Sequence, residues 1–367
     1  MKKICHLSSV HRRYDTRVLL KECISLFKHG YEVHLIIADG KGYEEYNGVK
    51  IHDVGKAKGR ITRFSKTTKA VFHKGLEINA DIYHFHDAEL MPSGLKLKKK
   101  GKIVIYDSHE DLPRQLLSKE YISVFVRKPL SVFLEWYENY CSKKYDAIIT
   151  ATPFINERFL KINPNSININ NYPLADEFKV EEKTIEQKKS SDVCFIGGIT
   201  EIRGLTHVIR ALEKLPVCLQ LAGGINPKSY EEKLMGESGW SKVNYHGHVS
   251  RDGAREILHQ SVAGIVTFLP YPNHVNAQPN KLFEYMSSGI PVIASRFPLW
   301  QSIIERHGCG ICVDPENSEE IAEAITYLIS NPEQAKSMGN KGRKAVENIF
   351  NWKKEEEKLV ALYNSFS

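Results

Sequence analysis

Pro279–Ser295, PNKLFEYMSSGIPVIAS, packs two kinds of chain into one short run. Its first half reads as a helix carrying Lys281 and Glu284. Its second half, GIPVIAS, is a turn followed by a short apolar strand. A helix that runs straight into a buried strand is the repeating unit of a parallel α/β sheet. Lys281 and Glu284 are three residues apart and so share one helical face. As a bare pair they read equally well as a modest surface ion pair or as two groups presented to a ligand.

The same style extends in both directions. KKICHLSS, YEVHLIIA, ADIYHFHD, GKIVIYDSHE and YDAIITAT are apolar runs that end in polar residues, with helical segments between them. DVCFIGG, PVCLQLAGG, KVNYHGHV, VAGIVTFLP, IPVIASR and GCGICVDP repeat the pattern in the second half. With 367 residues the chain is too long for one ordinary core. The charged, apolar-poor stretch after Pro173 reads as a linker. The expected organisation is a Rossmann-like domain over 1–172, a linker over 173–191, a second Rossmann-like domain over 192–350, and an amphipathic helix over 351–367. That helix is expected to return across the domain junction.

Doubly wound sheets bind ligands where strands end and helices begin. In the first domain this points to Ser8–Arg13, His86–Asp87, Ser108–Glu110 and Thr150–Pro153. In the second it points to Gly197–Arg203, Gly223–Gly224 and Pro270–Asn280. Two such rims facing each other would form a deep cleft.

Composition narrows the class. Hydrophobic residues at 42% and charged residues at 26% exclude a disordered or fibrous chain. No apolar run approaches the ~20 residues that cross a bilayer. The start has two lysines but a polar break after Leu7, so it is not read as a secretory signal. Seven cysteines are scattered; Cys309 and Cys312 form a C-x-x-C with no second pair to complete a zinc site, so they read as buried thiols. A reducing cytoplasm is the expected compartment. The net charge of +7 is lopsided: residues 1–172 hold 29 basic and 19 acidic residues, and the remainder 22 and 25. Basic excess in the first half favours an anionic partner there.

FIGGITEIRGL looks like a strand, a glycine turn and a helix. Gly197 and Gly198 would let backbone N–H groups approach a phosphate, and Arg203 adds a permanent positive charge. A tight turn with a surface arginine is an equal reading. There is no Walker A sequence and no full G-x-G-x-x-G, which argues against a P-loop or ordinary dinucleotide site. His84 and His86 alternate along a strand, and the alternation is expected to separate their imidazoles, so no metal site is expected from them with Asp87. His86 and Asp87, at the strand end, are the better candidates for a ligand. HRRYDTR brings Arg13, Asp15 and Arg17 to the first strand end, either as contacts to an anionic donor or acceptor or as a solvated helix entry capped by Asp15.

The run from Val262 to Asn317 resembles the donor-site region of retaining glycosyltransferases of family 4. The DTRVLLKECISLFKHGYEVHLI opening, the YDSHEDLP loop, the FIGGITEIRGL turn and the closing helix with Trp352 extend the resemblance over nearly the whole chain. The resemblance implies the GT-B fold: two Rossmann-like domains facing a central cleft, with a nucleotide-sugar bound mostly to the second. It places Glu284 at the second glutamate of an E-x7-E pattern, on the ribose hydroxyls. The first glutamate falls at Asn276, a neutral amide that hydrogen-bonds a sugar without supplying charge. Arg203 matches the basic residue on the diphosphate. The arginine that usually precedes it falls on Gly198, and Lys281 is the candidate replacement for that charge. His109 matches the histidine beside the transferred sugar, with Asp107, Glu110 or Asp111 to orient it. Asn280 and Leu282 lie in the same donor run.

The implied activity is transfer of a hexose from a nucleoside-diphosphate sugar, UDP before GDP, to a lipid-linked or glycan acceptor, with retention. His109, Arg203 and Lys281 are the expected catalytic residues. Neither a cofactor nor a metal is expected, and the nucleotide-sugar is a substrate. Lys56–Lys74 contains no acid, and ISVFVRKPLSVFLEWYENY sets apolar residues beside Arg127 and Lys128. Together they suggest peripheral contact with an anionic membrane on its cytosolic face. Solvated helix faces are the alternative. The rival activities are an inverting transferase, a phosphorylase or epimerase, and a non-catalytic nucleotide-sugar or RNA-binding protein; no RNA-binding module is recognisable, so no nucleic-acid partner is expected.

Overall fold

The computed structural model describes residues 1–118, 122–174 and 191–366. Most of the expected linker, 173–191, lies outside the described residues. The chain divides into two compact units: Met1–Asn171 joined by the closing segment from Trp352, and Tyr172–Asn351.

The first unit is built on an eight-stranded sheet. Its strands are β1 (Lys3–Leu7), β2 (Glu32–Ile37), β3 (Glu44–Tyr46), β4 (Val49–Asp53), β5 (Ile82–Phe85), β6 (Ile103–Ser108), β7 (Ala147–Thr150) and β8 (Ser166–Asn168). Their spatial order is β3-β4-β2-β1-β5-β6-β7-β8. All pair in parallel except β3 with β4, a hairpin turned by Asn47 and Gly48, whose φ angles of 49° and 80° suit an Asn-Gly turn. The chain winds from β1 to one edge, then crosses to β5 and winds the other way. The crevice between β1 and β5 is therefore a topological switch point, where such sheets bind ligands.

The helix after β1 starts as expected but is wound differently. Asp15 caps it, accepting from Arg17 N and Val18 N at 2.9 Å. Residues Thr16–Cys23 form a π-helix, which continues as α-helix over Ile24–Lys28. Five-residue spacing sets Arg17 and Glu22 side by side, Nε to Oε1 3.0 Å, which an ordinary α-helix would not do. The closing helix, Trp352–Asn364, belongs to this unit. Trp352 donates to Ser25 Oγ at 3.0 Å, and Glu355 accepts the Asn170 N–H at 2.8 Å.

The second unit holds β9 (Val193–Ile196), β10 (Leu219–Ala222), β11 (Val243–Gly247), β12 (Ala263–Val266), β13 (Val292–Ser295) and β14 (Gly310–Val313). The order β11-β10-β9-β12-β13-β14, parallel throughout, is the doubly wound order with its switch point between β9 and β12. Cys309 and Cys312, around β14, are free thiols, the first buried and the second half-buried.

The quoted stretch becomes helix α1 (Asn280–Ser287) and strand β13. Leu282, Phe283, Tyr285 and Met286 face the core. The Tyr285 ring lies over Gly264 of β12, so close that a Cβ there would sit 2.2 Å from it. Its hydroxyl accepts the Ile196 N–H at 3.0 Å. One side chain thus ties α1 to both strands of the switch point. Tyr285→Phe is expected to cost about 1 kcal/mol by removing that bond. Gly264→Ala should cost about 1–3 kcal/mol by overpacking. Denaturant unfolding measures both, and a neutral Gly264→Ala would contradict this packing.

Candidate active site

In the second unit, β9 ends at Ile196 and the chain turns at Gly197, with φ of +130°. A Cβ on Gly197 would lie 2.3 Å from Lys281 Nζ, so only glycine lets the ammonium rest against this turn. Gly198 has open space on its side-chain face. A 3-10 turn, Glu201–Arg203, follows and ends at Gly204 with φ of +75°, where a Cβ would meet the Thr267 carbonyl at 1.9 Å. The close approach holds the turn against the end of β12. The Arg203 guanidinium carbon consequently lies 4.0 Å from the Phe268 ring centroid. From α1, Lys281 Nζ lies 5.4 Å from the Phe195 ring centroid.

Arg203, Lys281 and Glu284 act on one another electrostatically. Burial and then the Arg203 charge push Lys281 down to about 8, and Glu284 opposes the shift. Asn276 and Asn280 are half-buried, one closing the turn Pro272–Val275 and the other opening α1. Leu282 does not fit a ligand contact: its side chain is fully buried and its N–H donates to Pro279 O at 3.1 Å. Sequence reasoning missed His274. Its Nδ1 lies 3.0 Å from Leu269 O, and burial and Arg203 push its pKa down to about 4, leaving a neutral ring beside the cations. Thr267 Oγ1 and Gln278 Oε1 are buried without hydrogen-bond partners in the same loops.

The switch point of the first unit is denser. His109 Nε2 lies 2.9 Å from Asp107 Oδ2, which singles out Asp107 as its orienting carboxylate. Burial pushes Asp107 up, but Arg17 and His109 together hold it well below the usual carboxylate range. His86 Nδ1 is 3.1 Å from His109 Nε2 and 3.3 Å from Asp107 Oδ2. Burial lowers His86 to about 4, so its ring is neutral. Glu110 is exposed.

Several sequence expectations change here. Arg13 is not open to an anionic ligand: it is buried, pairs with Asp39 at 2.9 and 3.0 Å, and reaches Glu44 at 2.8 Å. Arg17 is likewise engaged, with two bonds to Asp107 at 2.9 and 3.0 Å and a third to Ile169 O at 2.9 Å. Asp15 serves as the helix cap, with His11 at 3.3 Å. Asp87 accepts from Ser8 Oγ at 2.9 Å and Ser9 N at 2.6 Å, which fixes the loop after β1. Finally, His84 and His86 are not separated. Residues two apart on a strand share a face, and their ring centroids are 4.5 Å apart.

The family profile described as "Glycosyltransferase Family 4" matches residues 16–169, and that described as "Glycosyl transferases group 1" matches residues 176–345. The MMP α-(1→4)-mannosyltransferase of Mycolicibacterium hassiacum is 22% identical over 293 residues, covering 76% of this chain and 69% of its own. The capsular polysaccharide biosynthesis glycosyltransferase CapM of Staphylococcus aureus is 22% identical over 391 residues, covering 99% and 97%. The crystal structure of HepE of Anabaena in complex with UDP-glucose aligns over 100% of both chains, with a TM-score of 0.74 and 14% identity. Two doubly wound units, each with its polar residues gathered at the switch point, define a glycosyltransferase of GT-B type. The chain belongs to glycosyltransferase family 4.

A buried ammonium is a cost to the fold. An unfolded lysine keeps its proton up to 10.5, whereas folded Lys281 releases it above about 8. Stability therefore rises as pH climbs from about 8 towards 10.5. Lys281→Met is expected to melt above the wild type at pH 7, with the gap narrowing towards pH 10. An equal gap at both pH values would contradict the burial.

Proposed function

We propose that the protein transfers a hexose-type sugar from a nucleoside-diphosphate sugar, with UDP preferred to GDP, to a lipid-linked or glycan acceptor, with retention of anomeric configuration. The observation that carries this reading is the convergence of Arg203, Lys281 and Glu284 at the switch point of the second sheet. Two cations suit a diphosphate, and a carboxylate one helical turn away suits the vicinal hydroxyls of a ribose. HepE, bound to UDP-glucose, supports the choice of base. The mannosyltransferase relative keeps mannose among the hexoses to be compared.

Breaking the sugar–phosphate bond develops negative charge on the departing diphosphate and positive charge at the anomeric carbon. Arg203 and Lys281 stabilise the first without any rearrangement of their own. His109, oriented by Asp107, holds a sugar hydroxyl and fixes the pose. In a retaining transfer the departing phosphate takes the acceptor proton on the same face. Asn276 meets the sugar as a neutral amide, in place of a carboxylate.

The acceptor side favours a membrane. No helix among the described residues is long and apolar enough to cross one. The helix Val124–Ser142 instead exposes Phe125 at 91%, Val132 at 68%, Phe133 at 55% and Trp136 at 60%, near Lys128, Lys143 and Lys144. An apolar stripe with basic neighbours suits the cytosolic surface of an anionic bilayer, where surface polysaccharides and glycolipids are assembled.

Arg203→Ala and Glu284→Ala are each expected to weaken UDP binding by about tenfold or more in calorimetry and to lower turnover. Unchanged affinity and turnover in both would overturn the donor assignment. With phosphatidylglycerol vesicles at low salt, the wild type should float and a Phe125→Ser/Phe133→Ser/Trp136→Ser variant should not. Equal flotation, or none by the wild type, would remove the membrane from the account.

A further inference from the structure

We propose that the first unit holds a structural divalent transition-metal ion, zinc by its chemistry, ligated by His6, Glu22, His84 and His86. The observation is a juxtaposition. His6 of β1 pairs in register with His84 of β5, and His86 lies just past the end of β5 on the same face. The π-helical turn brings Glu22 over these three imidazoles. One ring nitrogen of each histidine and one Glu22 oxygen lie within 4.8 Å of one another. A tetrahedral zinc ion with bonds of about 2.1 Å sets its ligand atoms about 3.4 Å apart, so modest side-chain movement closes the site.

A second observation is independent of that spacing. His6 Nε2, His84 Nε2 and both oxygens of Glu22 have no hydrogen-bond partner, and all three residues are 0% exposed. Arg17 Nε approaches Glu22 Oε1 at 3.0 Å as an ion pair only. Buried polar atoms are ordinarily satisfied, and four orphans in one cluster point to a missing partner that accepts lone pairs. A cation is such a partner.

The surroundings match what metal-bound histidines use. Tyr363 Oη lies 2.8 Å from His84 Nδ1, and Asp107 Oδ2 lies 3.3 Å from His86 Nδ1. A ligating imidazole characteristically gives its other N–H to an oxygen of this kind. Glu22 and Asp107 also share the single Arg17 guanidinium. Three imidazoles and a carboxylate suit zinc better than magnesium or calcium. The site lies in a different unit from Arg203 and Lys281, so the ion is not assigned to the departing diphosphate. The expectation that His84 and His86 would hold no metal with Asp87 rested on separating their imidazoles, which the strand geometry does not do.

Untagged full-length protein, loaded with zinc and desalted, should retain about one zinc per chain by elemental mass spectrometry. Chelation should lower its melting temperature. Glu22→Gln and His84→Gln should each retain about tenfold less. Cobalt(II) substitution should give the visible absorption of a four-coordinate site in the wild type. X-ray absorption on the wild-type zinc protein, which needs no variant to fold, should show three imidazole shells. No retained zinc in the wild type, an imidazole-free zinc shell, or equal zinc in both folded variants would overturn the proposal.

Discussion

One buried guanidinium organises the first unit. Arg17 reaches Asp107 on β6, Glu22 one π-turn along its own helix, and the Ile169 carbonyl beyond β8. Three parts of the chain distant in sequence are thereby tied at one point. Asp107 in turn receives His109 and His86. Removing Arg17 would strand a buried carboxylate, which costs far more than an intact pair contributes. The position of His109 therefore depends on Arg17, whose guanidinium is engaged by acceptors of the protein itself.

The second unit solves a different problem. There the chain brings two cations together, and the Arg203 charge adds to burial in disfavouring the Lys281 ammonium. Glycines make this feasible by close approach: Gly197 admits Lys281, and Gly204 lets the Arg203 turn settle on the Thr267 carbonyl. Tyr285 then fixes the helix that carries Lys281 and Glu284. The result is a Lys281 ammonium whose charge burial disfavours, and the proposed diphosphate would relieve it.

Much of the fold was legible because parallel strands buried on both faces stand out as apolar runs between helices. Every strand of the second sheet lies within a run identified from sequence, and Lys281, Arg203 and Glu284 converge as a strand-end rule implies. The β3–β4 hairpin was missed although Asn47-Gly48 is a strong turn signal; its strands are short and polar. The π-turn was not legible, since two of the groups that Arg17 meets there, Asp107 and the Ile169 carbonyl, lie far along the chain. Arg13 and Arg17 look like ligand contacts in sequence because exposure cannot be read from residue type; their partners, Asp39, Glu44 and Asp107, lie far along the chain. His84 and His86 were misplaced by applying strand alternation to residues that share a face.

The central claim is that this chain moves a sugar from a nucleoside diphosphate. Nucleotide release from a panel of UDP-, GDP- and ADP-sugars, with and without a lipid acceptor, tests it most directly. The account predicts acceptor-dependent release of UDP from one UDP-hexose, with the anomeric configuration kept in the product. Release from no donor in the presence of acceptor, or an inverted product, would contradict it.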